Sequence, residues 1–278
     1  MKTLSPLRYP GGKASLAKYL QNLIETNLSE CSYFELYAGG AGAALELLYN
    51  ESVKRIILND ADPHIYAFWV SVLKHTEEFC RKVMDTDVSM DSWHRERSIY
   101  LSDDEMFSPV EVGFSTFFLN RCNRSGIIKK AGPIGGMEQS GTYKIDCRFN
   151  KKDLIKRIER IAQYESRIEI YNEDTIAFIE NSNVRLADEH AFTYLDPPYY
   201  KKGKSLYLNA YSHDDHVRLR NLLAENRNLK WMVSYDNVPE IISLYEGFRT
   251  VEHELSYTLQ NKRKTKELFV FSDSITII

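Results

Sequence analysis

The sequence LDPPYY, residues 195–200, joins an apolar run to one acid, two prolines and two tyrosines. The apolar run is typical of a buried strand, so the Asp196 carboxylate stands where that strand ends. Pro197 and Pro198 stiffen the backbone and hold the Pro197 carbonyl in one direction, while Tyr199 adds a flat aromatic face. These residues could hold an amino group with two acceptor oxygens beside a stacking surface. The alternative is a surface turn, because Asp and Pro are ordinary turn formers.

A glycine loop earlier in the chain, in FELYAGGAG at 34–42, has the spacing of a nucleoside site. The loop lies between a short apolar run and an Ala/Leu-rich stretch, which predicts a strand, a tight turn and a helix. Asp60 ends the next apolar run, 21 residues after Gly39. A carboxylate about 20 residues past such a turn is placed to bind ribose hydroxyls. Alternatively, the glycines only let the strand pack closely on the helix.

Two phosphate-binding motifs do not fit this sequence. The dinucleotide pattern G-x-G-x-x-G or G-x-G-x-x-A would read Gly40, Gly42 and Leu45. The YPGGKAS segment lacks the earlier glycine and the hydroxyl residue that a P-loop needs. A nucleoside ligand without a pyrophosphate suggests S-adenosylmethionine.

With that cofactor, the tetrapeptide at 196–199 has a chemical use. The exocyclic amino group of adenine is a poor nucleophile because its lone pair is delocalised into the ring. Acceptors at its two N–H bonds, here Asp196 and the Pro197 carbonyl, would draw the nitrogen toward tetrahedral geometry so that it can attack a methyl sulfonium. Tyr199 would stack on a base turned out of its helix. Open α/β sheets bind ligands at the carboxyl edge, so we expect the tetrapeptide and the glycine loop to be neighbours there.

The fold that must position these groups is predicted to be α/β. Strands alternating with helices indicate a doubly wound, mostly parallel, Rossmann-like sheet, and the tail from 248 predicts an antiparallel hairpin at its edge. Residues 62–163 break the alternation and are predicted to form an inserted, mainly helical domain with a hairpin at about 120–150. Residues 1–61 and 164–278 would then form the catalytic domain.

The net charge of -3 conceals a basic segment. Between Arg121 and Arg160 there are 11 Lys or Arg residues and 4 Asp or Glu residues, a balance of +7. A single charge run is usually a solvated face, but a basic segment on a weakly acidic protein indicates a localised track for a polyanion.

The order of motifs resembles that of the Dam-like DNA adenine-N6 methyltransferases. The resemblance covers nearly the whole chain and is carried by LRYPGGK, FELYAGGAG, ILND, NED, a long insertion, YLDPPY and ELSYTLQNKRKTKELFVF. It implies site-specific methyl transfer from S-adenosylmethionine to the N6 amino group of adenine in double-stranded DNA after base flipping. A restriction-modification pair, a phage or host maintenance would each supply a purpose.

The resemblance also assigns residues to the catalytic domain. The catalytic set is Asp196, Pro197, Pro198 and Tyr199. The cofactor-binding set is Tyr9, Lys13, Glu35, Gly39, Gly42, Asp60, Asp174 and Asp196. Within it, Tyr9 and Lys13 would cover the cofactor. Asp174 has two interpretations, a contact with the cofactor adenine or a helix N-cap.

The resemblance makes the insertion a target-recognition domain. In this family a hairpin after an F-x-N-R segment enters the major groove, and here the segment reads FFLNRCNRSGIIKKAGPIGG. The candidate DNA contacts are Arg121, Arg124, Ser125, Ile127, Lys129 and Lys130. Arg and Lys can read guanine edges, and Ile127 can touch a thymine methyl or wedge between bases. Ser125 and Lys129 stand where Dam proteins tend to have Asn and Arg, which leaves a GATC target open.

Three alternative functions stay open. The enzyme could methylate cytosine at N4, or it could act on RNA or a protein glutamine. The third alternative is a non-catalytic DNA-binding relative, against which the intact tetrapeptide argues.

Composition sets further expectations. The four cysteines lack C-x-x-C spacing, so we expect neither a metal site nor a disulfide framework. No apolar run approaches the ~18 to 20 residues of a membrane span, and the start lacks the apolar middle of a signal peptide. We therefore expect a cytoplasmic, nucleoid-associated protein, with a monomer favoured.

Overall fold

A computed structural model describes residues 4–8, 13–102, 106–201, 211–259 and 261–278, with the backbone alone for 183, 184 and 255–265. The chain divides into two compact units. The first comprises Met1–Gly12 and Asp62–Ile170, and the second comprises Lys13–Ala61 and Tyr171–Ile278.

The described elements follow one another along the chain as helices and strands. The helices are α1 (Ala17–Asn27), α2 (Gly42–Tyr49), α3 (Pro63–Lys74), α4 (Thr76–Asp85), α5 (Met90–Leu101), α6 (Pro109–Cys122), α7 (Lys151–Ala162), α8 (Thr175–Asn181), α9 (Asn183–Leu186), α10 (His213–Glu225) and α11 (Pro239–Leu244). The strands are β1 (Ser32–Glu35), β2 (Arg55–Asn59), β3 (Ile168–Tyr171), β4 (Ala191–Leu195), β5 (Trp231–Asp236), β6 (Arg249–Leu259) and β7 (Asn261–Phe271). None of these helices is long and apolar enough to cross a membrane.

Within the described residues, seven strands form one sheet in the order β3-β2-β1-β4-β5-β7-β6. β1 pairs in parallel with both β2 and β4, and β4 pairs in parallel with β5. β7 then runs antiparallel to β5 and to β6. The predicted fold class is confirmed, including the C-terminal hairpin. Strand order reverses around β1, and the carboxyl edge at such a point is where doubly wound sheets bind ligands.

The central strands are buried along their whole length, which explains their apolar sequences. Every residue of β4 is buried, and β5 is buried from Trp231 to Tyr235. A strand whose successive side chains are all buried must have both faces covered, since side chains alternate between the faces. Leu219 and Leu223 of α10 and Phe178 of α8 belong to the core cluster around these strands.

The first unit is built around α6, which is buried from Gly113 to Cys122. The helix begins at a capping box, in which Ser108 and Glu111 bond to each other's backbone, and Pro109 occupies its first turn. Its aromatic residues pack against rings from neighbouring segments. The ring centre of Phe117 lies 6.0 Å from that of Phe68 and 5.4 Å from that of Phe149. A helix buried on all sides needs such cover, and α3, α4 and α5 pack against it.

The segment after α6, residues 123–150, has one antiparallel bridge, Asn123 to Pro133, and two short 3-10 turns, Arg124–Gly126 and Ile145–Arg148. The predicted hairpin therefore takes the form of a loop, without a ladder of paired strands. Within this segment, positive φ angles occur at Ser125, Gly126, Gly135, Gly136 and Gln139. We call residues 123–134 the target loop.

Gly113→Ala should destabilise the first unit. A Cβ at Gly113 would lie 2.4 Å from the Ser71 Oγ and 2.6 Å from the Ala67 carbonyl oxygen, so α3 and α6 would have to move apart. Overpacking of this kind costs about 1 to 3 kcal/mol. Chemical denaturation followed by circular dichroism measures the loss.

Gly132→Ala is the matched control, because a Cβ there meets no atom within 4 Å. Its free energy of unfolding should stay close to that of the parent. Equal stabilities of the two variants would contradict the close packing of α3 on α6.

Candidate active site

The glycine loop and Asp60 meet at the carboxyl edge of the sheet, as the sequence predicts. The Gly39 N–H donates to the Asp60 Oδ2 at 2.7 Å. Gly39 has φ 45°, and Ala41 adopts the left-handed conformation at the start of α2. At Gly42 a Cβ would lie 3.2 Å from the Ala14 Cβ, so the loop also packs tightly on the turn after Lys13. The loop thus packs closely against Ala14, and its Gly39 N–H also orients the Asp60 carboxylate.

Asn59 and Asp174 hold the backbone between β3 and α8 beside the end of β2. Asn59 is fully buried; its amide accepts from the Glu173 N–H and donates to the Glu173 carbonyl, both at 3.0 Å. Asp174 accepts from the N–H groups of Ile176 and Ala177 at 3.0 and 3.2 Å. Asp174 is therefore the N-cap of α8, the second of its two interpretations, and its contact with a cofactor stays a prediction. The sequence analysis missed Asn59, although its position at the end of an apolar run was a signal.

Glu35 lies at the end of β1 and is 5% exposed. Its Oε2 accepts from the Ala44 N–H at 3.2 Å, which ties β1 to the first turn of α2. Burial raises the pKa of Glu35 to about 8, and the nearby charge of Asp196 acts in the same direction. At pH 7 this carboxyl is therefore mostly protonated. Its place in the structure is a link between strand and helix.

Asp196 directly follows the last residue of β4 and is held from two sides. The Ser234 Oγ on β5 donates to the Asp196 Oδ1 at 2.9 Å, and the Tyr194 hydroxyl contacts the same Ser234 oxygen at 2.7 Å. The Lys13 Nζ lies 3.2 Å from the Asp196 Oδ1. These contacts orient the carboxylate before any substrate arrives, while its side chain keeps 17% of its surface exposed.

A second buried acid, Glu267 on β7, joins the same group. Its Oε1 lies 2.6 Å from the Lys13 Nζ and accepts from the Tyr199 hydroxyl at 2.6 Å. The Lys13 Nζ also donates to the Tyr199 hydroxyl at 3.1 Å. We call Lys13, Asp196, Tyr199, Ser234 and Glu267 the lysine cluster. Sequence reasoning placed Lys13 at the cofactor and missed Glu267 and Ser234.

The charges of the lysine cluster set the protonation of Asp196. Burial raises the pKa of Asp196 to about 6; the Lys13 ammonium lowers it, the Glu267 carboxylate raises it, and the Ser234 hydrogen bond lowers it. Asp196 is therefore largely ionised at pH 7 and above, where it is an acceptor only.

The turn after the tetrapeptide is fixed by the end of β5. Asp236 accepts from the Tyr200 N–H at 2.9 Å and from the Lys201 N–H at 3.3 Å. Pro197 and Pro198 are buried beneath this turn. The Tyr200 ring packs 5.2 Å from the ring centre of His216 on α10. The backbone that carries the Pro197 carbonyl is thus restrained by its own rings and by β5.

The target loop in the first unit is held by asparagines and by the N-terminal segment. The buried Asn120 accepts from the Arg8 N–H at 2.7 Å and donates to the Arg8 and Gly126 carbonyls, both at 2.9 Å. Asn123 donates to the carbonyls of Ile127 and Ile128 at 2.9 and 2.8 Å. These bonds replace the ladder of a hairpin. Sequence reasoning missed these supporting residues, since nothing in their spacing marks them.

The six candidate DNA contacts separate into two groups. Arg124, Ser125, Lys129 and Lys130 are exposed on the target loop and Ile127 is half-buried there. Arg121 is 9% exposed, and its guanidinium donates to the carbonyl of Arg148 at 2.8 Å and to that of Pro6. Burial lowers the pKa of Arg121 to about 10. Its place is under the loop, so its contact with DNA is the weakest of the six assignments.

Tyr9, the other predicted cover of the cofactor, lies outside the described residues. In the part of the chain that the structure describes, no group of three or more His, Cys, Asp or Glu side chains is placed to hold a metal ion.

Comparison with known proteins shows the family to which the chain belongs. Residues 9–259 match the model of the D12 class N6 adenine-specific DNA methyltransferases. The chain belongs to this family. The methyltransferase is also 23% identical over 270 residues to the type II methyltransferase M1.LlaDCHI of Lactococcus lactis subsp. cremoris, a match that covers 93% of this chain and 89% of that protein.

Solved structures similar to the methyltransferase are distant. The rRNA methyltransferase aviRa from Streptomyces viridochromogenes has a TM-score of 0.42 at 12% identity, covering 96% of this chain and 87% of that one. A conserved hypothetical protein from Streptococcus pyogenes has a TM-score of 0.37 at 11% identity, covering 94% and 97%. The family assignment rests on the match over 9–259.

Asp196→Asn should stabilise the methyltransferase at neutral pH. The folded pKa of Asp196, about 6, lies above its ordinary value of 3.8. Ionisation of Asp196 therefore lowers the stability of the folded protein. Stability is highest at low pH and falls as the pH rises from about 4 to 6. A shift of about two pKa units corresponds to on the order of 2 to 3 kcal/mol. Thermal unfolding of parent and variant between pH 4 and 8 measures the difference.

The stability difference between Asp196→Asn and the parent should grow from about pH 4 to 6 and stay constant at higher pH. A constant difference at all pH values would contradict the raised pKa. Asp214→Asn, on the exposed first turn of α10, is a control that should show no gain.

Proposed function

We propose that this chain transfers a methyl group from S-adenosylmethionine to the N6 amino group of an adenine turned out of double-stranded DNA. The observation that supports this most directly is the oriented, ionised Asp196 carboxylate at the carboxyl edge of β4. Pro197 and Pro198 of the tetrapeptide that contains it are buried, and the glycine loop follows the neighbouring strand β1.

The donor and acceptor set at the sheet edge fits this cofactor. Asp60 is directed toward the glycine loop by the Gly39 N–H, and a carboxylate can accept further bonds from ribose hydroxyls. Asp174 lies at the start of α8, beyond the end of β3. We assign Asp60, Gly39, Gly42 and Asp174 to cofactor binding, with Glu35 supporting the loop from behind. When bound, the cofactor supplies an electrophilic methyl group on a sulfonium.

The tetrapeptide prepares the amine for attack. Asp196 accepts one N–H of the adenine amino group and the Pro197 carbonyl accepts the other, which localises the nitrogen lone pair. Tyr199 offers its ring to the base. The nitrogen then forms a bond to the methyl carbon as the carbon–sulfur bond breaks with its electron pair left on sulfur, and the nitrogen afterwards loses one proton to water. The protein contributes position and charge.

The first unit is the candidate for target recognition. Arg124, Lys129 and Lys130 place three positive charges on the exposed part of the target loop, as a phosphate- or guanine-binding surface requires. The buried bonds of Asn120 and Asn123 support these residues. The division into a catalytic part and a recognition part, and the choice of target sequence, stay predictions. The type II relative fits the expected link to restriction-modification.

Asp196→Ala should abolish methyl transfer and leave the fold intact. Loss of one positioned polar group of this kind costs about 100- to 1,000-fold in turnover. The measurement is incorporation of labelled methyl groups into duplex DNA, followed by mapping of N6-methyladenine in DNA from cells that express each form.

Glu189→Ala is the matched control, because Glu189 is a carboxylate just before β4 whose side chain is 85% exposed. It should retain parental turnover. Near-parental turnover of Asp196→Ala would refute the role of Asp196. Label found in RNA, in protein or on cytosine N4 in place of adenine would favour one of the alternative functions.

Lys129→Ala should weaken DNA binding and relax discrimination at the contacted base. Removal of one phosphate contact lowers the salt slope of log K by about one, whereas removal of a base contact costs about 1 to 3 kcal/mol at one position. Titration of labelled duplexes at several salt concentrations separates these outcomes.

Lys54→Ala tests the alternative that any exposed lysine has this effect, since Lys54 is 62% exposed and lies before β2. It should bind DNA as the parent does. Parental salt dependence and parental target choice in Lys129→Ala would count against the target loop.

A further inference from the structure

Glu267 is a buried acid that the tetrapeptide chemistry does not itself require. Its side chain is 2% exposed, on the edge hairpin formed by β6 and β7. The backbone register pairs Glu267 with Asp236 of β5, two residues after Ser234. Antiparallel pairing thus brings an acid from near the end of the chain into the lysine cluster.

The lysine cluster has an unusual charge balance. One ammonium, Lys13, contacts two carboxylates, at 2.6 Å to Glu267 and at 3.2 Å to Asp196. The shorter contact is to Glu267, and the Tyr199 hydroxyl donates to the same Glu267 oxygen at 2.6 Å. With both acids ionised, the cluster carries one net negative charge in a site largely removed from solvent.

We propose that Glu267 is a positioning residue for methyl transfer: it holds the Lys13 ammonium and the Tyr199 hydroxyl, so that the oxygens of Asp196 stay available to the target amine. This inference rests on the proposed function, because the amine is the substrate named there.

The physical reason is the charge that develops during the reaction. The attacking nitrogen becomes positive as its bond to carbon forms, so a net negative cluster stabilises the transition state more than the ground state. Without Glu267, Lys13 and Asp196 would form a neutral pair. The ammonium would then compete with the adenine N–H for the lone pairs of Asp196.

Among the described residues, the charged and hydroxyl groups near Asp196 come from several elements of the fold. These groups are Lys13 from the N-terminal turn, Glu35 and Tyr33 from β1, Tyr194 from β4, Tyr199 from the tetrapeptide, Ser234 from β5 and Glu267 from β7. Burial is the largest cause of the raised pKa of Asp196, and Glu267 adds to it while Lys13 opposes it. Neutralising Glu267 should therefore lower the pKa of Asp196.

The first experiment needs neither cofactor nor DNA. Thermal unfolding is followed from pH 4 to 8 for the parent, Asp196→Asn, Glu267→Gln and the double variant. In the parent background the gain from Asp196→Asn grows as the pH rises toward about 6. In the Glu267→Gln background the stability gain from Asp196→Asn should appear at a pH lower by about one unit, because one neighbouring charge commonly shifts a pKa by about that much.

The second experiment measures turnover. Glu267→Gln keeps the size and the acceptor oxygen but loses the charge, so kcat at pH 7.5 should fall by about 10- to 100-fold with little change in the KM for DNA. The acid limb of its pH profile should also move to lower pH. A merely structural role of Glu267 would leave that limb in place.

Glu252→Gln is the matched control, because Glu252 is an exposed acid of the same hairpin, paired with Lys266. It should change neither the pH window of Asp196 nor kcat. Glu267→Asp is the second variant should Glu267→Gln fold poorly: it keeps the charge on a shorter arm, so the pH window should stay while kcat falls.

The outcomes separate this inference from the proposed function. An unmoved pH window in Glu267→Gln overturns the inference, and so does parental kcat in either Glu267 variant. A parent that methylates no DNA overturns the proposed function, while the unfolding experiment still decides whether Glu267 controls the charge of Asp196.

Discussion

The structure of the active site depends on one interaction, the contact of the Lys13 ammonium with the buried Glu267 carboxylate and the partly buried Asp196 carboxylate. A charge removed from water is costly unless it is paired and hydrogen-bonded, and here the ammonium pairs with both carboxylates while the Tyr199 hydroxyl donates to Glu267. The three groups come from the turn before α1, from the end of β4 and from β7. The site therefore exists only when the edge hairpin has paired with the parallel part of the sheet.

The parallel strands explain why the remaining groups converge. β1, β2 and β4 end at one edge, so the glycine loop, Asp60 and Asp196 lie side by side although they are far apart in the chain. Asn59 and the Asp174 cap hold the loop that leads from β3 into α8. The backbone amides and carboxylates at this edge are thus oriented by hydrogen bonds within the protein.

The first unit solves a different problem, which is to hold an irregular basic loop without a sheet. Its buried asparagines donate to loop carbonyls that would otherwise be unsatisfied. Gly126 lies so close to the Arg8 carbonyl that a Cβ would sit 2.1 Å away from it. Exposed lysines can then be presented by a loop whose backbone is fixed from beneath.

The sequence by itself determined the sheet, the edge hairpin, the inserted helices and the positions of Asp60 and Asp196, because each depends on local periodicity and on what ends a strand. It did not determine that Asp174 caps α8, that Arg121 is buried beneath the target loop or that this loop lacks a strand ladder. Only the tertiary structure decided that Glu267 and Ser234 join Lys13 and Asp196. The physical reason is that these contacts span up to 254 residues of chain and arise from strand pairing, which leaves no local pattern in the residues that it brings together.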